Sequence, residues 1–159
     1  MSVTKLKIGL DYHGVIDSNP AYFTDFCTIA RNRGHLIYVI SGAPKATITS
    51  KLQSMQLPYD FIFSILDYCL AIGKIEQTSK GIMINNSVWD KAKAEFCKRC
   101  NVDLHIDDST IYCRFFDNNY CLYNEQEKIC QNQKGQIIDF NLIPSDTLDV
   151  LETIIEKSR

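Results

Sequence analysis

The sequence predicts an α/β fold built on a doubly wound parallel sheet in three α/β/α layers. Short apolar, β-branched runs alternate along the chain with stretches of helical period, the pattern of a parallel sheet with helical crossovers. Several of these runs are apolar throughout, as strands covered on both faces should be. Three of them stop abruptly at Asp, Ser or Asp-Asp, and in open parallel sheets ligands sit beyond the carboxyl ends of the strands.

The first run, Lys5–Leu10 (KLKIGL), stops at Asp11. Asn19-Pro20 opens a helix that places Phe23, Phe26, Cys27 and Ala30 at helical spacing, and Gly34 ends it. Leu36–Ile40 (LIYVI) is the second strand and stops at Ser41-Gly42. Pro44 suits the first turn of a helix reaching Met55, and Phe61–Ile65 is a third buried strand. The stretch 66–90 is irregular, with Gly73, Gly81 and Asn85-Asn86, and reads as a short helix followed by a hairpin or flap. Ser87 is the expected cap of a helix carrying Val88, Ala92 and Phe96, and Trp89 is expected to pack the flap. Val102–Ile106 (VDLHI) is a fourth strand ending at Asp107-Asp108, with His105 and, earlier, His35 read as ordinary strand residues. A short helix at Thr110–Phe116, a strand near Tyr120–Tyr123 and an extended pair at Gln136–Phe140 follow. The last helix begins after Pro144 with Ser145 as its cap and aligns Leu148, Leu151 and Ile155 for docking on the core.

Composition narrows the function classes. At 159 residues and 45% hydrophobic content the chain suits one domain, 1–159, and is too apolar for disorder. A net charge of −2 gives no general field for polyanions, so a nucleic-acid partner is not indicated. The apolar runs fall far short of the roughly 20 residues that span a bilayer. No apolar segment of signal length follows Met1–Lys7, so no membrane is expected and the location is expected to be cytoplasmic. The seven cysteines, an odd number, are expected as reduced and mostly buried thiols. A zinc site built on Cys97 and Cys100, with Cys113, Cys121 or His105, is the alternative.

The strand-end polar groups define the candidate site. Asp107 and Asp108 are adjacent anions after an apolar strand; they repel one another, and a cation is the simplest remedy. The run IGLDYHGVID (8–17), then VISGAP (39–44), then Lys91, then LHIDDS (104–109) resembles the four ordered motifs of the haloacid dehalogenase superfamily, over roughly residues 5 to 116. That resemblance implies a Rossmann-like fold and, for many members, magnesium-dependent phosphatase activity. It implies that Asp11 is the nucleophile, forming an aspartyl phosphate. It implies Mg2+ held by Asp11, the His13 carbonyl and Asp108, with Asp107 behind them. Ser41 and the Gly42 amide would hold phosphoryl oxygens, and Lys91 would neutralise the nucleophile. Lys91 is favoured because it stands near the start of the helix leading to the fourth strand; Lys93 and Lys74 are the alternatives.

The physical requirement agrees with this assignment, since a carboxylate attacks a phosphate dianion only when their repulsion is cancelled. Gly14 allows close backbone approach at the turn. The family's phosphatases carry Asp at the position occupied here by His13, which puts the proton chemistry in question while leaving the carbonyl ligand intact. About 30 residues separate Asp11 from Ser41, too few for a cap domain, so the site is expected to be open, either to a bulky phosphorylated substrate or to a cover supplied by another subunit. The rival expectation is a catalytically silent domain that binds a phosphorylated ligand or protein.

Overall fold

The computed structural model describes residues 4–79 and 81–159. Along the chain lie β1 (Lys7–Leu10), α1 (Pro20–Asn32), β2 (Leu36–Ser41), α2 (Lys45–Met55), β3 (Phe61–Ser64), α3 (Ile65–Ala71) and the pair β4 (Ile75–Thr78) and β5 (Gly81–Ile84). There follow α4 (Asn86–Cys100), β6 (Leu104–Asp107), β7 (Tyr120–Asn124), β8 (Ile129–Asn132), β9 (Ile137–Asp139) and α5 (Pro144–Lys157). Seven strands form one sheet in the order β3-β2-β1-β6-β7-β8-β9, parallel from β3 through β7 and antiparallel thereafter. Helices cover both faces, giving the Rossmann-like three-layer α/β/α architecture.

The two faces divide by strand parity. Ile8, Leu10, Ile37, Val39, Leu104 and Ile106 point to the layer of α1, α2 and α5, against Phe23, Phe26, Leu52 and Leu148. Tyr38, Ile40 and Phe63 point the other way, toward α3 and α4, against Cys69, Ala92 and Cys97. Each fully buried aliphatic or phenyl side chain contributes roughly 1.5–3 kcal/mol, so the paired cores hold both layers to the sheet. His35, at the start of β2, is also structural: Nδ1 accepts from the Leu6 amide and Nε2 bonds Glu152 on α5.

Several boundaries differ from the sequence expectation. Asn85, not Ser87, caps α4, its side chain accepting from the Ser87 amide at 2.8 Å. The residue before α5 is Ile143, without a side-chain cap; Pro144 at the first position has no amide hydrogen to satisfy. The fourth strand of the main sheet runs to Asp107, and the helix expected at Thr110–Phe116 shrinks to one 3-10 turn, Cys113–Phe115. The partner of the Gln136–Phe140 segment is β8, whose sequence ICQN gave little strand signal. The stretch 66–90 does contain a short helix and an antiparallel hairpin, β4–β5. Among the described residues, no helix is long and apolar enough to cross a membrane.

Candidate active site

β1 and β6 are neighbours, although β1 is followed by β2 and β3 on its other side. The chain therefore reverses its direction of sheet growth between β1 and β6, and a crevice opens beyond their carboxyl ends. Asp11 follows β1, Ser41 ends β2, and Asp107 ends β6. A cleft of about 310 Å³ at this point is lined by Asp11, His13, Ser41, Lys93, Asp108 and Tyr112, among others. A larger cleft, about 540 Å³, lies between the β4–β5 hairpin and the start of α4. No carboxylate is among its described lining residues, so volume alone does not mark the chemistry.

The lysine of the site is Lys93, which corrects the assignment to Lys91. Lys93 is 2% exposed; its Nζ lies 3.1 Å from Asp11 Oδ1 and 2.7 Å from Asp107 Oδ2. Lys91 is exposed and borders a separate cleft with Glu95 and Lys98. The reason is helical phase: two residues turn the helix by about 200°, so Lys91 and Lys93 face opposite ways. Trp89, Lys93 and Cys97 share one stripe at four-residue spacing, and that stripe faces the sheet. Lys74 lines the larger cleft, away from the carboxylates.

Asp107 is fully buried and accepts three hydrogen bonds. Its Oδ2 accepts from Lys93 Nζ and from His105 Nε2 at 2.9 Å, and its Oδ1 accepts from the Ser109 amide at 3.0 Å. Burial alone would raise its pKa, but the His105 hydrogen bond and the Lys93 ammonium outweigh it and hold the carboxyl far below the usual range. Burial dominates at Asp11, pushing its pKa well above the ordinary value; Lys93 opposes and Asp107 and Asp108 add to the rise. Burial also raises Asp108, Asp107 adds to it, and a hydrogen bond with Asp11 offsets part of it. Lys93 stays charged because Asp11 and Asp107 overcome the cost of its burial.

Oxygens of Asp11, Asp107 and Asp108 lie within 4.8 Å of one another, with one ammonium among three carboxylates. This donor set fits a hard divalent cation, which takes one or two carboxylates and keeps several waters. Asp107 already accepts from three protein donors, whereas Asp11 accepts from Lys93 and Asp108 is exposed, so Asp11 and Asp108 are the carboxylates more open to it. The loop after β1 suits the same role. The Asp11 and Tyr12 carbonyls accept from the Ile16 and Asp17 amides, and none of the loop's amide bonds ends on the His13 carbonyl. Gly14 has φ +83°, and a Cβ there would be strained and would have to displace the Asp108 carboxylate, so the turn favours glycine.

Ser41 is fully buried, and its Oγ accepts from the Ala43 amide at 3.2 Å, which leaves the hydroxyl proton to donate. Ser64 reaches across from β3 to the Ala43 carbonyl at 2.7 Å and fixes this turn. A Cβ on Gly42 would lie 2.8 Å from the Trp89 ring, so the indole packs on the turn itself. Trp89 Nε1 donates to the Tyr112 hydroxyl at 3.0 Å, and Lys93 Nζ lies 4.7 Å from the centre of the Tyr112 ring. The His13 side chain is 54% exposed, and Nδ1 pairs with Asp17 Oδ2 at 3.2 Å.

Sequence reasoning missed His105 and Tyr112 as members of this cluster and held Lys93 only as an alternative to Lys91. The signal for Lys93 was present: a lysine four residues from Trp89 and four from Cys97 on an otherwise apolar stripe. The expected Asp11, His13, Ser41, Gly42, Asp107 and Asp108 do surround or border one cleft. A search against protein-family models and against curated proteins finds no match for this chain.

Proposed function

We propose that the protein is a magnesium-dependent phosphohydrolase of the haloacid dehalogenase type, working through an aspartyl phosphate on Asp11. The observation that carries the reading is the buried Lys93 shared between Asp11 and Asp107 at the mouth of a parallel-sheet crevice. Asp11 presents a carboxylate to the cleft with one oxygen already held by an ammonium. Lys93 offsets charge on the nucleophile and on the incoming phosphoryl group. The Ser41 hydroxyl and the Gly42 amide are the donors for phosphoryl oxygens. Mg2+, held by Asp11, Asp108 and the His13 carbonyl, would supply the remaining positive charge in the crevice. In the first step the Asp11 oxygen bonds to phosphorus as the ester oxygen leaves; in the second, water attacks phosphorus and the carboxylate departs. His13, tied through Nδ1 to Asp17, has Nε2 left for a proton from that water. The substrate is a phosphate ester, and the cleft between loops suits a bulky one.

A second reading, a silent domain that binds a phosphorylated ligand, is favoured by one observation: the His13 ring is exposed and turned to Asp17. Hydrolysis of para-nitrophenyl phosphate with and without Mg2+, by the wild type and Asp11→Asn, separates the two. The phosphohydrolase gives turnover that needs Mg2+ and vanishes in Asp11→Asn. Binding of beryllium fluoride without any turnover supports the silent domain, and neither turnover nor binding refutes both.

A further inference from the structure

His105 does not itself line the cleft, yet it is fully buried and hydrogen-bonded to the carboxylate that holds Lys93. Its place in the sheet depends on Gly9. The two are direct cross-strand partners on β1 and β6, and a Cβ at position 9 would stand 2.8 Å from His105 Nδ1. The missing side chain makes the slot into which the imidazole folds. Phe116 stacks on the ring at 5.6 Å and 14°, and Tyr120 meets it edge-on.

The tautomer follows from the surroundings. Nε2 faces the Asp107 carboxylate, which accepts from Lys93 Nζ and the Ser109 amide and has no hydrogen to give. The ring hydrogen therefore resides on Nε2 and is donated to Asp107 Oδ2. That oxygen then carries two donors, Nε2–H and the Lys93 ammonium, while Oδ1 carries the Ser109 amide. The carboxylate is fixed against rotation by three contacts on two oxygens. Lys93, at 2.7 Å from one end of this anchor, is left reaching 3.1 Å to Asp11.

We propose that His105, admitted by Gly9, is a positioning residue that locks Asp107 so that it aims Lys93 at Asp11. The functional consequence rests on the phosphohydrolase reading; the aiming of Lys93 does not. Losing the Nε2–H frees the carboxylate to turn and draw the ammonium off the nucleophile, and misplacement on the ångström scale at a reacting group costs up to about a hundredfold in rate.

Two variants separate this role from simple packing. His105→Phe keeps a ring to stack on Phe116 but removes the donor. His105→Gln loses the ring but carries an amide N–H near the former Nε2. If His105 only fills space, Phe is the better substitute; if it positions Asp107, Gln is. Expected is a kcat on para-nitrophenyl phosphate about tenfold to a hundredfold lower in His105→Phe, with KM little changed, and recovery to within about threefold of wild type in His105→Gln. Equal kcat in wild type and His105→Phe, or a Gln variant worse than Phe, overturns the proposal. A second readout needs no turnover: the 15N-resolved NMR signal of the Lys93 ammonium in metal-free protein. The signal should persist in wild type and His105→Gln and be lost to solvent exchange in His105→Phe. A wild type without turnover that shows this pattern refutes the phosphohydrolase while leaving the positioning role supported. A signal unchanged in His105→Phe refutes the positioning role whatever the activity. Should His105→Phe not fold, Gly9→Ala, which displaces the imidazole without removing it, is expected to lose the same signal.

Discussion

Replacing Lys93 by methionine tests the central pair of contacts, because methionine keeps most of the length and apolar stem and removes the charge. Lys93 is one of three donors to the buried Asp107 and also donates to Asp11. Deleting one partner of a buried ion pair costs about 3–5 kcal/mol, since the other charge is left uncompensated. Asp11 softens the loss: burial already raises its pKa, so it accepts a proton when the ammonium is gone. Asp107 keeps the His105 and Ser109 donors. The cost should therefore fall at the low end, about 3 kcal/mol, which for a chain of this size lowers the thermal midpoint by roughly 6–12 °C. Lys91→Met, on the exposed face of α4, should cost within about 0.5 kcal/mol and shift the midpoint by no more than about 2 °C. Differential scanning calorimetry of the two variants gives the comparison directly. Activity should follow the same division, with phosphatase turnover lost in Lys93→Met and retained in Lys91→Met. A midpoint for Lys93→Met within about 3 °C of wild type would refute the buried-pair argument. So would inactivation by Lys91→Met alone.

Asp108→Asn should lower magnesium affinity at least about tenfold, or about 1.4 kcal/mol, in a calorimetric titration, while the metal-free protein keeps its thermal midpoint. Asp107→Asn should do the reverse and chiefly destabilise the fold, because its oxygens serve Lys93, His105 and the Ser109 amide. Ser41→Ala should weaken vanadate inhibition by roughly 1.5–3 kcal/mol, the contribution of a hydrogen bond to a charged group, and unchanged inhibition would remove Ser41 from the phosphate grip. On the proposed phosphohydrolase reading, position 13 offers an imidazole where the resemblance implies an Asp, so a poor leaving group lacks the proton donor it needs. The wild type should therefore favour aryl and acyl phosphates over alkyl phosphates, and His13→Asp should narrow the ratio of the two kcat/KM values. Equal wild-type values on both ester classes would sink that argument.

The parallel half of the sheet was legible in the sequence because its strands are continuous apolar runs with sharp polar ends. Leu36–Ile40 and Phe61–Ile65 were each placed to within one residue of β2 and β3. The strand β8 was not legible, since its ICQN is half polar and takes its strand character from pairing on both sides, with Tyr120–Asn124 and Ile137–Asp139. Among site residues, Asp11, Ser41 and Asp107-Asp108 stood out because polar groups ending buried strands are conspicuous. Lys93 did not, because its burial depends on carboxylates from β1 and β6, and the period of α4 does not announce them. His105 was passed over for a related reason. In VDLHI it alternates like any strand residue, and only the cross-strand gap at Gly9 makes room for its ring.

The pairing of β1 with β6 has a consequence for how the site comes into being. Asp11 and Lys93 are 82 residues apart in sequence, yet their side chains meet. Asp11 and Ser41 lie on one side of the β4–β5 hairpin; Lys93, Asp107 and Asp108 lie on the other. Neither portion of the chain contains the cleft by itself. Closing so long a loop is slow and entropically costly, so the site forms only when the least local contacts of the sheet have formed. A ligand that bridges Asp11 and Asp108 therefore binds the completed fold and not its parts, and it stabilises the whole chain by mass action. Cleavage within the hairpin would turn this dependence into an assay: two fragments, each silent, whose reassociation is driven by the phosphate mimic and read as its binding.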